Sequence, residues 1–216
     1  MQVAIIFTSI LSILIPIGVG LRRYSSLSLD ARWILYMLIP IGINQFVSVW
    51  WIYYVNPNNI AFGHVYIVLE LFFLSKIYYD YHKSSSWSVL VPVLTGVFYL
   101  FYIIKLFLDP ASFLVYSTHE RALSGLLILI YAISYFISVY RKQEVLELQK
   151  ISGFWIAGGL ILYFLSNTIL YVFSELVFAQ DRVVFAQIWS VHAVLNFLLY
   201  ISFTLALLCR KTETKS

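Results

Sequence analysis

Charge is what this chain has least of. Of its 216 residues only 11% are Asp, Glu, Lys or Arg, against about 25% in an ordinary soluble domain. Hydrophobic residues make up 62%, and the mean hydropathy is +0.88. A water-soluble core cannot hide that surplus, so lipid is the expected solvent for much of the surface. The composition excludes a soluble enzyme, a disordered chain and a coiled coil. The single cysteine, Cys209, excludes an intrachain disulfide. It ends the last apolar stretch beside Arg210 and Lys211 and reads as an interfacial thiol, with palmitoylation as the alternative.

Other absences remove particular chemistries. No lysine lies between Lys150 and Lys211, so the last helix has none for a retinal Schiff base. There is no glycine-rich phosphate loop and no Gly-x-Ser-x-Gly elbow. No basic run interleaved with aromatics marks a nucleic-acid surface. Lys and Arg are missing from the middle of every apolar span, which argues against a voltage sensor or an anion conduit. A metal site is not expected: the chain has four histidines, and only His64 and His192 share a side of the membrane closely enough to meet.

What is present is a series of apolar stretches. A bilayer core needs roughly 20 helical residues, and seven segments qualify: 3–20, 33–54, 60–79, 89–108, 122–140, 152–174 and 187–208. Ten-residue alternation of the kind membrane strands show is absent. The predicted fold is therefore all-α, a polytopic integral membrane protein built as a seven-transmembrane-helix bundle in a single domain. Asn56-Pro57-Asn58-Asn59 predicts a tight turn, Asp109-Pro110 ends the fourth span, and residues 210–216 form a short tail. No connection is long enough for a soluble domain, so any output in water is expected to come through a partner. The first span lacks a basic region before it and is read as an anchor, not a cleaved signal.

Eleven of the 14 Lys and Arg residues fall on one side of this arrangement. They include Arg22, Arg23, Lys76, Lys83, Arg141, Lys150 and Arg210. Only Lys105, Arg121 and Arg182 fall on the other. Because basic residues stay in the cytoplasm, the expected orientation has the N-terminus outside and the C-terminus cytoplasmic, in a cell inner membrane. The lipid bilayer is the first expected partner, and nucleic acid is not one.

Polar groups inside the spans are the functional pointers, because leaving them in hydrocarbon is costly. They are Asn44 and Gln45, His64 and Glu70, Asn167, and His192 and Asn196. Counted at about 1.5 Å per residue from the outer helix ends, all seven lie in the outer half or at the midplane. Several share faces. Trp189, His192, Asn196 and Tyr200 form one stripe, Tyr163, Asn167 and Tyr171 another, and Pro40, Asn44 and Ser48 a third. Tyr66 shares a face with Glu70, whereas His64 lies about 120° away. The amides also suit interhelical hydrogen bonds, and the histidines also suit the interface. Glu70 is expected to be protonated or hydrogen-bonded, with Asn196, His192 and Gln45 as partners. Glu120-Arg121 reads as an outer salt bridge or cap. Gly153, Ala157, Gly158 and Gly159 leave little bulk on the sixth span, so a neighbour can approach closely.

Three stretches carry a resemblance: His64-Val65-Tyr66 with Glu70-Leu71-Phe72-Phe73-Leu74-Ser75, then Gly153-Phe154-Trp155-Ile156, then Trp189-Ser190-Val191-His192 with Leu195-Asn196. Together they resemble small uncharacterised seven-helix membrane proteins of Bacteroidetes-type bacteria. Those are similar to the membrane sensor halves of histidine kinases, which implies sensing and carries no catalytic residue. The functional expectation is a sensor or receptor-like module binding a small-molecule ligand in an outward-facing polar pocket, with no cofactor. It would signal through a membrane or cytoplasmic partner. The alternatives are a proton-coupled transporter of a small polar solute and an intramembrane metal-dependent hydrolase.

Overall fold

The computed structural model describes residues 8–83, 85–142, 147–172 and 182–209. Helix α1 (Leu14–Arg22) continues a helical stretch that begins at Thr8. It is followed by α2 (Leu29–Tyr54), α3 (Ile60–Tyr81), α4 (Trp87–Leu108), α5 (Thr118–Lys142), α6 (Ser152–Val172) and α7 (Arg182–Leu208). No strand occurs among the described residues. Six helices, α2 to α7, are long and apolar enough to cross a membrane, and Thr8–Arg22 is a shorter apolar helix. The chain is an all-α protein built for a bilayer.

Local chemistry sets the joints. In the turn before α3, Asn56 Oδ1 accepts the Asn58 N–H at 2.8 Å and Asn58 Oδ1 accepts the Ile60 N–H at 3.0 Å. These Asx turns satisfy donors that a helix start leaves open. Asp109-Pro110 stops α4 and opens a 3-10 turn over Pro110–Leu114. Three helices begin about a turn earlier than hydropathy predicts: α2 at Leu29, α5 at Thr118 and α7 at Arg182. The extra turns hold Asp30, Arg32, Glu120 and Arg121, whose charge lowers hydropathy without breaking a helical ladder. The tail at 210–216, the first five residues of the first predicted span and the last two of the sixth lie outside the described residues.

Contacts at the helix ends show an up-and-down bundle. At one end Arg23 Nη1 donates to the Leu208 carbonyl at 2.6 Å. There also the Asp30 carboxylate accepts from Tyr81 at 2.5 Å and from Ser152, joining α2, α3 and α6. This is the end that carries the basic loops. At the opposite end Asn59 Nδ2 donates to Ser48 Oγ at 2.8 Å and Asn44 Nδ2 to the Phe62 carbonyl at 3.0 Å. Between the ends sits an aromatic core with Tyr78, Phe98, Tyr131, Phe164 and Phe203 fully buried. The outward faces are equally apolar. On α4, Val89, Val97, Leu100 and Ile103 are about 60% exposed, which is tolerable only against lipid.

Glycines set the closest helix approaches. A Cβ on Gly159 would lie 2.5 Å from Ser202 Cβ, so α6 and α7 pack against each other there without side-chain bulk. Gly153 allows the hydroxyls of Tyr81 and Tyr135 to cross its face, 2.2 and 2.6 Å from where a Cβ would stand. Gly158 faces open space instead.

Candidate functional site

A partly open cavity of about 280 Å³ occupies the end of the bundle away from the basic loops. Helix α2 supplies Asn44, Gln45 and Ser48; α3 supplies Phe62, Gly63 and Tyr66; α7 supplies His192, Asn196 and Tyr200. The wall is completed by Tyr116 and Ser117 before α5, Arg121 in its first turn and Tyr163 of α6. Five helices thus converge on one space lined by amides, phenols and a guanidinium.

The strongest interaction in the wall is an ion pair. Arg121 Nη1 donates to Glu70 Oε2 at 2.5 Å, and both side chains are under 10% exposed. Tyr66 Oη donates to Glu70 Oε1 at 3.0 Å. The guanidinium stacks on Tyr66 and Phe164, 4.8 and 5.6 Å from their ring centres. Two buried charges in hydrocarbon are tolerable only when paired and hydrogen-bonded in this way. The partner expected for Glu70 from the sequence was Asn196, His192 or Gln45; the structure supplies Arg121 instead.

Helix stagger explains why Arg121 reaches so far in. The Val115 carbonyl accepts from His64 Nε2 at 3.1 Å, and Arg121 meets Glu70; both pairs are 51 residues apart. A constant offset means that α3 and the chain entering α5 run parallel in register. Thr118 is therefore level with Ile67, and α5 starts about 10 Å deeper than α3 at 1.5 Å per residue. Depths counted from each helix's own end assume level ends, and here they are not level. That places Arg121 inside the bundle and not at an outer cap.

The seven residues singled out in the sequence take three positions. Asn44, Gln45, His192 and Asn196 line the cavity. Glu70 and Asn167 stand one layer behind it, Glu70 on Arg121 and Asn167 Oδ1 accepting from His192 Nδ1 at 2.7 Å. His64 lies outside it: Nδ1 meets the Tyr102 hydroxyl at 2.5 Å and Nε2 bonds Val115, with Phe113 beside the ring. His64 and His192 thus bond different partners, His64 on Tyr102 and Val115 and His192 on Asn167. Among the described residues no three His, Cys, Asp or Glu side chains gather to hold a metal. Trp189 and Tyr171 have side chains outside the described set.

Arg121, Tyr66, Tyr163 and Tyr200 belong to the wall without standing among the seven polar residues that the sequence singles out. The tyrosines carried a signal, since each shares a stripe with Glu70, Asn167 or Asn196. Among the described residues Gln45 Oε1 is buried in the wall without a hydrogen-bond partner, so the wall holds an unsatisfied polar atom. No protein-family model, curated protein or solved structure matches the chain.

Proposed function

We propose that this protein is a seven-helix, membrane-embedded receptor-like sensor, with its N-terminus outside and C-terminus in the cytoplasm of a bacterial inner membrane. It binds a small ligand in the cavity and passes the change to a partner at the basic end. The observation that carries this reading is the cavity itself, a polar space at one end whose wall is shared by five helices. At about 280 Å³ it has nearly twice the ~150 Å³ that holds a benzene ring.

A route for the signal runs along the α1–α7 pair. Asn196, in the cavity wall, donates to Ser9 Oγ of the first helix at 3.1 Å. At the far end Arg23 holds the Leu208 carbonyl. A ligand that pulls Asn196 shifts both helices together and so moves the basic loops, because it can bias only an element it contacts differently in two states. Transport is the less favoured reading. The basic end is closed by the Asp30–Tyr81–Ser152 clasp and the packed rings of Tyr78, Tyr81, Tyr131 and Tyr135.

The test is a thermal-shift screen of short carboxylates, alcohols and amides on the purified chain in nanodiscs. Gly63 lines the cavity and a Cβ there meets nothing within 4 Å, so Gly63→Trp places an indole at the mouth. Saturable shifts abolished by Gly63→Trp and weakened by Asn196→Ala are expected. Shifts indifferent to both substitutions overturn the assignment.

A further inference from the structure

The cavity holds a cation that already has an anion. Arg121 lines the space while its Nη1 bonds Glu70 and its Nη2 donates to the Tyr163 hydroxyl at 3.4 Å. A guanidinium presents five donors in a planar fork that matches a carboxylate. Tyr200 closes the α7 side. The same ring is a wall of a second space, an apolar cleft of about 100 Å³ between the first helix and α7. Ser12, Ile15, Phe197, Ile201 and Leu205 line that cleft, and it faces lipid, with Ile15 52% and Ile201 39% exposed.

We propose that the site takes an amphiphilic monocarboxylate, a fatty-acid-like molecule. Its carboxylate takes Arg121 from Glu70, and its hydrocarbon chain passes Tyr200 into the cleft between the first helix and α7. The inference rests on the ligand-binding reading and names its chemical class. Two carboxylates at one guanidinium leave a buried charge unpaired, which costs kilocalories. The ligand therefore binds with uptake of one proton, held on Glu70. Among the described residues, the groups around Glu70 include Arg121 from α5, Tyr66 on its own helix, Tyr163 from α6, and His192 and Tyr200 from α7. Helix α2 presents the Asn44 and Gln45 amides and the Ser48 hydroxyl there, and Tyr99 of α4 spends its hydroxyl on the Val68 carbonyl. Among these described groups Arg121 alone carries a permanent charge. An acid arriving from the bilayer meets the cleft first and the guanidinium last.

The experiment measures binding of radiolabelled decanoate and butyrate, with decanol as the neutral control, to the full chain in nanodiscs of uncharged lipid, against empty nanodiscs. Decanoate is expected to bind saturably, with affinity rising about tenfold per unit fall in pH near neutrality, as uptake of one proton requires. Glu70→Gln should bind decanoate more tightly at high pH and lose the pH dependence. If the protonated acid were the bound species, that dependence would persist in the variant. Ile201→Trp, on the lipid face, should weaken decanoate about tenfold and leave butyrate unchanged; it and the wild-type pH slope keep the test decisive if Glu70→Gln fails to fold. Saturable decanol binding without decanoate binding overturns the carboxylate class and leaves the ligand site standing. Absence of saturable binding for every probe overturns both.

Discussion

Glu70 and Arg121 are each costly alone in the bundle and tolerable only together. Each is a charge in a low-dielectric interior, and each is made tolerable by the other and by Tyr66. Removing one partner leaves the other charge uncompensated, at a cost of about 3–5 kcal/mol, whereas replacing both with neutral groups costs far less. Glu70→Gln and Arg121→Gln are therefore each expected to lower the unfolding free energy in micelles by about that amount, and the double variant by clearly less than the sum. Additive losses would mean that the two side chains do not interact. The carboxylate was legible in the sequence as a midplane charge in need of a partner. Its partner was not, because Arg121 precedes the apolar run, and hydropathy does not report which neighbouring helix starts deeper.

At the scale of the helices, the small residues of α6 do unequal things. Gly159 faces Ser202 at a distance no Cβ tolerates, while Gly158 faces open space. Gly159→Ala should force α6 and α7 apart and destabilise by about 1–3 kcal/mol. Gly158→Ala should be neutral or slightly stabilising, since alanine is about 1 kcal/mol better than glycine within a helix. Thermal unfolding of the two variants side by side checks this, and equal effects would contradict the packing described. The stripe of small residues was visible in the sequence, but the one that touches a neighbour was not, since that depends on helix rotation. The apolar runs were legible because lipid demands them. The early starts of α2, α5 and α7 were not, because charge in a first turn lowers hydropathy without breaking a helix.

For the whole molecule, the account rests on an asymmetry between two ends. One end carries the basic loops and a closed clasp, and the other an open polar chamber. The chamber was partly legible: the polar groups cluster toward one side in sequence, and four of the seven singled out line it. His64 was not separable from them, since its ring turns to Tyr102 and Val115 for reasons of tertiary packing. Burial lifts the Cys209 thiol above its ordinary range, and Cys209→Ser removes it as a background. In that background, the most direct measurement is labelling of intact cells with a membrane-impermeant maleimide. The account predicts that Gly63→Cys, at the chamber wall, reacts from outside, while Lys150→Cys reacts only after permeabilisation. The reverse pattern would put the chamber in the cytoplasm and contradict an outward-facing sensor.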